Sequence, residues 1–190
     1  GMIEELAGEC RMPFCYGGGV STVDQALKIS KLGVEKVALS ASVLLKPELV
    51  GEISAAIGSQ SVVVVIDFKK SLFGSYDAYI RNGSKKIKKN VLELVSELES
   101  YGAGELVLNS IERDGKMNGY DAKFARMIYE NVHIPITLLG GAGSLSDMKD
   151  IVDDFGTIGL AAGSLFVFKG KYRAVLINYP DIAEKKSLSS

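Results

Sequence analysis

The sequence predicts an α/β fold in which parallel strands alternate with crossover helices, and three observations support this. Strand-like and helical segments alternate along most of the 190 residues, with short loops between them. Residues 62–66 form an apolar run without alternation, which is typical of a strand in a sheet covered on both faces. The third observation is an internal repeat, because residues 16–24 match residues 139–147 without gaps.

The repeat also distinguishes the two layouts that fit this alternation, an open doubly wound sheet and a (β/α)8 barrel. Each copy contains a glycine cluster, a helix start, a helix-ending glycine and a further strand. Paired glycine clusters at strand ends match the active face of a barrel, so the barrel is favoured. The strands at 61–67 and 105–110 have no counterpart ahead of the first copy. We therefore expect one domain over residues 1–190 that carries six strands of an eight-stranded barrel, lacks the first two, and ends in a tail at 169–190.

Each element is assigned from its hydrophobic period and from the residues that end it. Helices are predicted where apolar residues recur every three or four positions, at 2–10, 21–32, 47–57, 90–101, 122–130 and 146–154. Strands are predicted where short apolar runs lie between turn residues, at 12–16, 36–40, 61–70, 105–110, 134–139 and 158–162. Residues 76–80 are predicted as an extended excursion that follows a turn at Gly74. The other segments are predicted as a solvated lysine-rich loop at 85–89, an extended run at 174–179 and a mobile polar end at 180–190.

Composition and charge argue against several classes of protein. The formal net charge is −1, so nothing favours binding to nucleic acid or to an anionic membrane. No apolar run is long enough to span a bilayer, and nothing resembles a secretory signal. Cys10 and Cys15 make no disulfide framework, no Cys/His cluster has metal-ligand spacing, and His133 precedes a strand at the wrong end for catalysis. We therefore expect a cytoplasmic protein without a metal site.

Asp67 is the residue best placed for acid–base chemistry. It ends the buried strand that begins at residue 61, and barrel enzymes draw catalytic groups from such strand ends. A structural aspartate that pairs with Lys69 or Lys70 explains the position equally well. The pattern alone leaves both interpretations open.

Glycines at two strand ends predict phosphate sites. Bare N–H groups at 17–19 and at 140–143 can approach a ligand closely, and the helix that follows adds partial positive charge. A tight turn explains either cluster alone, whereas the repeat favours two phosphate sites. We expect a side chain at Gly141 to occupy the space that a phosphate needs.

Two further pairs of residues allow both a structural and a functional interpretation. Asp114 and Gly115 form a turn signal, but the same residues can close a loop over a ligand and hydrogen bond to it. Lys36 and Glu105 stand at the starts of their strands, where charged residues are usually solvated. The alternative for this second pair is a charged ring at the bottom of the barrel.

Together these residues resemble the cyclase subunit of imidazole glycerol phosphate synthase, a family of histidine biosynthesis. The likeness begins at the family's second helix and continues to about Phe168. The matching motifs have the family's order and spacing and lie at residues 17–19, 58–64, 66–67, 102–105, 110–115, 119–121 and 140–143.

The resemblance implies a TIM-type barrel with a lyase or cyclase activity and no cofactor. In that family a glutaminase subunit docks on the bottom face and sends ammonia through the barrel. At the top, ammonia and a phosphorylated ribulosyl nucleotide become imidazole glycerol phosphate and an aminoimidazole carboxamide ribotide. Two aspartates act there as general acid and base. Asp67 matches the second aspartate, and the first belongs to a strand that we expect to be absent.

The resemblance also implies roles for the remaining candidate residues. These roles are one phosphate site (Gly19, Ser40), a second phosphate site (Gly141, Gly163, Ser164), the substrate loop (Asp114, Gly115) and half of a four-charge ammonia gate (Lys36, Glu105).

The sequence departs from the family at several positions near these residues. Residues 38–40 read Ala-Leu-Ser in place of Ser-Ile-Asn, which removes an amide that contacts phosphate. Asn109 and Glu112 replace Thr and Asp, and Leu139 replaces a small polar residue. Residues 161–180 look like paralogues encoded with surface-polysaccharide genes, which pair with an amidotransferase in the amidation of a sugar. The substrate therefore stays open, and the departures slightly favour the sugar derivative.

Two other functions remain as alternatives, a non-catalytic scaffold that activates a glutaminase and a phosphoribosyl isomerase of the sister family. The loop at 110–115 matches the cyclase better than the isomerase. Because only one of the two aspartates is present and two strand edges are expected to be open, we expect this chain to be inactive and to self-associate. We expect residues 62–66 and 106–108 to line the uncovered interior, and the run at 174–179 to cover one edge.

Overall fold

The computed structural model describes residues 1–10, 12–170 and 172–188. Its strands are β1 (Cys15–Gly17), β2 (Lys36–Leu39), β3 (Val62–Lys70), β4 (Tyr76–Ile80), β5 (Lys85–Lys86), β6 (Glu105–Ser110), β7 (Ile136–Leu139), β8 (Gly159–Leu160), β9 (Phe168–Lys169) and β10 (Ala174–Val175). Its helices are α1 (Met2–Glu9), α2 (Val23–Lys31), α3 (Ala41–Leu45), α4 (Glu48–Ile57), α5 (Val91–Ser100), α6 (Ala122–Tyr129), α7 (Leu145–Phe155), α8 (Ser164–Val167) and α9 (Ile182–Lys186).

Six parallel strands form the centre of the fold, in the order β1-β2-β3-β6-β7-β8. Helices connect these strands, which is the α/β arrangement of a TIM-type barrel. The predicted fold class and the count of six parallel strands are confirmed. β4 and β5 continue β3 as an antiparallel hairpin, and β9 pairs with β10 in a separate ribbon. Within the described ranges, β1 and β8 each pair on one side only.

The outer face of the sheet carries the hydrophobic core. On β3 the even-numbered residues from 62 to 68 are at most 2% exposed and pack beneath the helices, as Leu106 and Leu108 of β6 do. The expectation that all of 62–66 and 106–108 lines the interior is wrong, because successive side chains of a strand point to opposite faces.

The inner face of the sheet carries the candidate functional residues. Val65 and Asp67 lie there in register with Val107 and Asn109 of β6. At the other end of the same strands, Val63 pairs with Glu105. The inner face therefore changes from charged at the strand starts, through apolar, to polar at the strand ends.

Capping side chains fix the starts of the helices that cover the sheet. Thr22, Asn90, Asp121 and Ser144 each accept a hydrogen bond from a backbone N–H two or three residues further on. The six predicted helices are confirmed with bounds within two residues. The short helices α3 and α8 were not predicted, since five or four residues are too few to show a period.

The strand ends and the tail differ from prediction in several places. β7 begins at Ile136, since Pro135 has no N–H to donate, although the proline carbonyl accepts from the Leu106 N–H at 2.9 Å. Lys85–Lys86 of the predicted loop pairs with β4. Of the extended run predicted at 174–179 only Ala174–Val175 is strand, and it pairs with β9 instead of covering an edge of the main sheet.

The segment predicted as mobile contains α9, whose start is capped by Asp181. Lys171, Ser189 and Ser190 of the predicted tail lie outside the described residues. Both cysteines are free thiols. In the described part of the chain, no helix has the length and apolar character needed to cross a membrane.

Candidate active site

Asp67 lies on the inner face near the carboxyl end of the longest parallel strand. Its Oδ1 accepts a hydrogen bond of 2.8 Å from the Nδ2 of Asn109 on the neighbouring strand β6. The alternative of a pairing with Lys69 or Lys70 is not observed, because Lys69 donates to the Gly83 carbonyl at 3.0 Å and among the described residues no lysine forms an ion pair with Asp67. The carboxylate is half-buried and lines a cavity, where a ligand can reach it.

The side-chain amide of Asn109 orients the Asp67 carboxyl group through this hydrogen bond. The Nδ2 atom faces the Asp67 carboxyl group, because the amide nitrogen donates hydrogen bonds and the amide oxygen only accepts them. The Oδ1 atom is then buried without a hydrogen-bond partner in the described chain. A buried acceptor without a partner costs free energy unless a water molecule or a ligand supplies a donor to it.

The first glycine cluster, Gly17–Gly19 with Ser40, opens into a cavity of about 630 Å³ that Asp67 also lines. The N–H groups of Gly18 and Gly19 donate no hydrogen bond within the described residues. Ser42, on α3, donates to the Val20 carbonyl at 2.8 Å and so ties the loop after Gly19 to the end of β2. The predicted residues Gly19, Ser40 and Asp67 are thus brought together around one open cavity.

The second glycine cluster, Gly141 with Gly163 and Ser164, lies beneath Asp114 and Gly115. In the described chain the N–H groups of Gly141, Gly163 and Ser164 donate no hydrogen bond. The space between these residues is only about 10 Å³, which is about the volume that one water molecule needs. A phosphate therefore fits only if the loop that carries Asp114 and Gly115 moves outward.

Not every backbone N–H of the second cluster is available. The carboxylate of Asp147 accepts from the N–H groups of Gly143 and Ser144, at 2.8 and 3.1 Å. The start of α7 is therefore already capped by a negative charge, and of the N–H groups predicted as bare at 140–143 that of Gly143 is not available to a phosphate.

Gly141 is needed for a reason that the sequence does not show. Its φ is +108°, and a Cβ built there would lie inside contact distance of the Gly119 carbonyl oxygen. The Gly119 N–H in turn donates to the Gly141 carbonyl at 2.8 Å. The glycine thus allows the loop between β6 and α6, named the substrate loop here after the role predicted for its residues Asp114 and Gly115, to pack against the end of β7. The space expected for phosphate is not where the side chain at residue 141 would go.

The substrate loop is anchored on both sides. Arg113 donates to the Gly119 carbonyl at 3.1 Å and lies 3.8 Å from the Asp121 carboxylate. Asp121 also accepts from the hydroxyl of Tyr76 on the β4 hairpin at 3.0 Å. Burial, followed by this hydrogen bond, raises the pKa of Tyr76 to about 12, so the phenol stays neutral and donates. On the other side Arg173 donates to the Gly115 carbonyl at 2.8 Å.

Lys36 and Glu105 form an ion pair at the opposite end of the inner face. The Lys36 Nζ and Glu105 Oε2 atoms are 2.5 Å apart, and the Glu105 side chain is 14% exposed. Thr137 donates to the other oxygen of Glu105 at 2.7 Å. Glycine at 159 makes room for this, because a Cβ there would overlap the Thr137 hydroxyl. The pair is therefore built into the sheet, and together with Val63 and Val107 it lines a cavity of about 290 Å³.

Sequence reasoning missed Arg81 and Asn82, which line the first cavity from the turn after β4. The Asn82-Gly83 dipeptide is a turn signal and could have located this turn, but not its position over the cavity. In the described chain no group of three or more His, Cys, Asp or Glu side chains is placed to hold a metal ion. His133 is exposed and lies at the bottom of the sheet, away from Asp67.

Comparison with known proteins identifies relatives along nearly the whole chain. A family model described as "Histidine biosynthesis protein" matches residues 1–173. A "Putative imidazole glycerol phosphate synthase subunit HisF" of Leptospira borgpetersenii is 50% identical over 98% of this chain and 74% of its own length. A subunit hisF3 of the same name from Vibrio vulnificus strain YJ016 is 50% identical over 97% of this chain and 72% of its own length. An "Imidazole glycerol phosphate synthase subunit HisF" of Petrotoga mobilis strain DSM 10674 / SJ95 is 38% identical over 91% of this chain and 68% of its own length.

Proposed function

Because the chain belongs to the histidine biosynthesis protein family, we propose that it is the cyclase subunit of a glutamine amidotransferase of the imidazole glycerol phosphate synthase type. In this proposal it receives ammonia from a glutaminase subunit and transfers it to a phosphorylated substrate. The reaction is of the lyase or cyclase type. The proposed site is Asp67 with the two glycine clusters.

The observation that carries this proposal is the separation of two polar sites on one inner face. Asp67 lies between the two glycine clusters at the strand ends, and the Lys36–Glu105 pair lies at the strand starts. Between them the inner face is apolar, since Val65 lies in register with Val107 and Val63 lies one step nearer the strand starts, opposite Glu105. In this proposal ammonia crosses that apolar lining more easily than an ion, because burying an unpaired charge is costly.

Each end has a defined role in the proposed reaction. Asp67 moves a proton as general acid or base, with its orientation set by Asn109. The free N–H groups of Gly18, Gly19, Gly163 and Ser164 bind phosphate groups at either side of it. Lys36 and Glu105 form part of the ammonia gate, and Thr137 positions the carboxylate of that pair.

An assay that measures both reactions together tests this function. The chain, extended at its amino end by the preceding segment of the Leptospira relative, is mixed with a glutaminase of the family, glutamine and the phosphorylated ribulosyl nucleotide. We expect faster glutamine hydrolysis and formation of imidazole glycerol phosphate. Faster hydrolysis while the nucleotide is not consumed would support the activator alternative, and isomerisation of a phosphoribosyl substrate without ammonia would support the isomerase.

The same geometry suits a phosphorylated sugar derivative. Two departures from the cyclase family lie at the site, since residues 38–40 line the first cavity and Asn109 contacts Asp67. The assay is therefore repeated with nucleotide-activated sugars as ammonia acceptors. Consumption of a sugar but not of the ribulosyl nucleotide would place the chain with the polysaccharide-associated paralogues.

We also propose that the 190-residue chain alone is catalytically inactive and self-associates. β1 and β8 have free sides in the described structure, although both are shorter than predicted, which reduces the exposed edge. Apolar side chains are exposed elsewhere, in α1 (Met2, Leu6) and in the tail (Val175, Ile177). Light scattering should show a mass above 20.3 kDa that rises with concentration. The extended chain is the control and should associate less, and a stable monomer at high micromolar concentration contradicts the proposal.

A further inference from the structure

The first cavity contains one acidic and one basic side chain, and only the acidic one has been given a role. Of the 16 residues that line it, Asp67 and Arg81 are the two that carry a formal charge. The remainder are apolar side chains, glycines, serines and one asparagine. Without Arg81, an anionic ligand entering this cavity would therefore meet a net negative charge from Asp67.

Arg81 is also distinct among the arginines that the structure describes. Arg113 faces Asp121, Arg126 faces Asp154, and Arg173 donates to the Gly115 carbonyl. For Arg81 no hydrogen bond, ion pair or ring contact of the guanidinium is found within the described residues. Its five N–H donors are therefore free to bind a ligand.

The backbone that carries Arg81 is strained and held in place. Arg81 and Asn82 both have φ of +55°, a conformation that costs an arginine free energy. Ser84 donates to the Arg81 carbonyl from both its N–H and its hydroxyl, at 3.2 and 2.7 Å. Lys69 donates a hydrogen bond to the carbonyl of Gly83, the residue that follows Asn82 in this turn. These contacts hold the backbone of the turn at the wall of the cavity before any ligand arrives, while the exposed side chain of Arg81 keeps its donors free.

We propose that Arg81 binds the anionic group of the substrate, a phosphate or a similar oxyanion, against the free N–H groups of Gly18 and Gly19. The planar guanidinium makes two parallel hydrogen bonds to such a group, and its charge offsets that of Asp67 beside it. In the cyclase family an asparagine amide at the position of Ser40 contacts the phosphate, and this chain lacks that amide. Arg81 thereby supplies a side-chain donor in its place. The inference rests on the proposed function, since it takes the first glycine cluster to be an anion site.

Inorganic phosphate is the probe that tests this proposal. It is titrated into the 190-residue chain, and binding is followed by the amide resonances of Gly18 and Gly19. The variant Arg81→Asn removes the charge but keeps a residue that tolerates positive φ. The matched control is Lys88→Asn, which removes one positive charge from an exposed residue that follows the same hairpin and does not line the cavity.

We expect Arg81→Asn to weaken phosphate binding at Gly18 and Gly19 about 10- to 100-fold, as for loss of a charge-assisted hydrogen bond, while Lys88→Asn changes it less than about threefold. In the unchanged protein the Arg81 side-chain N–H resonance should also shift as phosphate binds, a reading that needs no variant. This inference alone is overturned if Arg81→Asn binds phosphate as tightly as the unchanged protein and the Arg81 resonance of the unchanged protein does not shift. Unmoved Gly18 and Gly19 resonances in the unchanged protein overturn the anion site of the proposed function as well. Equal losses in both variants also overturn the inference, because they show a general charge effect.

Discussion

Replacing Asp67 with asparagine is expected to lower ammonia-dependent turnover about 100- to 10,000-fold, the range that general acid–base catalysis usually supplies. Asparagine has nearly the same shape, and its side-chain oxygen can still accept the hydrogen bond that Asn109 donates at 2.8 Å. The substituted side chain cannot take up or release the proton. The fold should therefore be unchanged while the chemistry is lost.

This comparison is made in the amino-terminally extended chain with ammonia supplied directly, so that the glutaminase is not involved. Asp77→Asn is the matched control, because Asp77 lies on the adjacent strand β4, pairs with Lys86 at 2.7 Å and does not line the cavity. It should leave turnover near the level of the unchanged chain and cost at most about 1 kcal/mol of stability. Near-normal turnover by Asp67→Asn would remove Asp67 from the mechanism.

Replacing Gly141 with valine is expected to abolish phosphate binding at the second glycine cluster and to destabilise the protein. The valine Cβ would meet the Gly119 backbone, so the substrate loop must move away from the end of β7. Because valine cannot keep φ at +108° without strain, we expect the backbone at residue 141 to rotate and turn its N–H away from the cluster, so the room gained by moving the loop does not restore this donor. The added volume costs about 1–3 kcal/mol, and strain of a β-branched residue at φ +108° adds about 1–3 kcal/mol.

Gly163→Ala is the control for this second experiment. Gly163 lies in the same cluster, but nothing approaches within 4 Å of a Cβ built there and its φ is −106°. Thermal unfolding should show a much lower melting temperature for Gly141→Val and a nearly unchanged one for Gly163→Ala. Phosphate-induced shifts of the Gly163 and Ser164 amides should disappear in the valine variant. A valine variant that unfolds like the unchanged chain would show that the contact with Gly119 is not maintained in solution.

The sequence by itself determined the parallel α/β fold and the position of its main elements. The apolar run at 62–66 and the ungapped repeat depend on local period and on glycine spacing, and both are properties of the chain alone. Residues at the ends of parallel strands must lie at one edge of the sheet, so the order of the strands was enough to group Asp67 with the two glycine clusters. Lys36 and Glu105 could be placed at the other edge by the same reasoning.

The tertiary structure decided which of these residues touch each other and what space they leave. The partners of Asp67, Glu105 and Gly141 are Asn109, Thr137 and Gly119, and each partner comes from a different strand or loop. The distances between such segments depend on register and on side-chain packing across the sheet, which no local pattern encodes. For the same reason the sequence could not show that the first cluster is open and the second nearly closed, nor that the turn at Arg81 folds over the first.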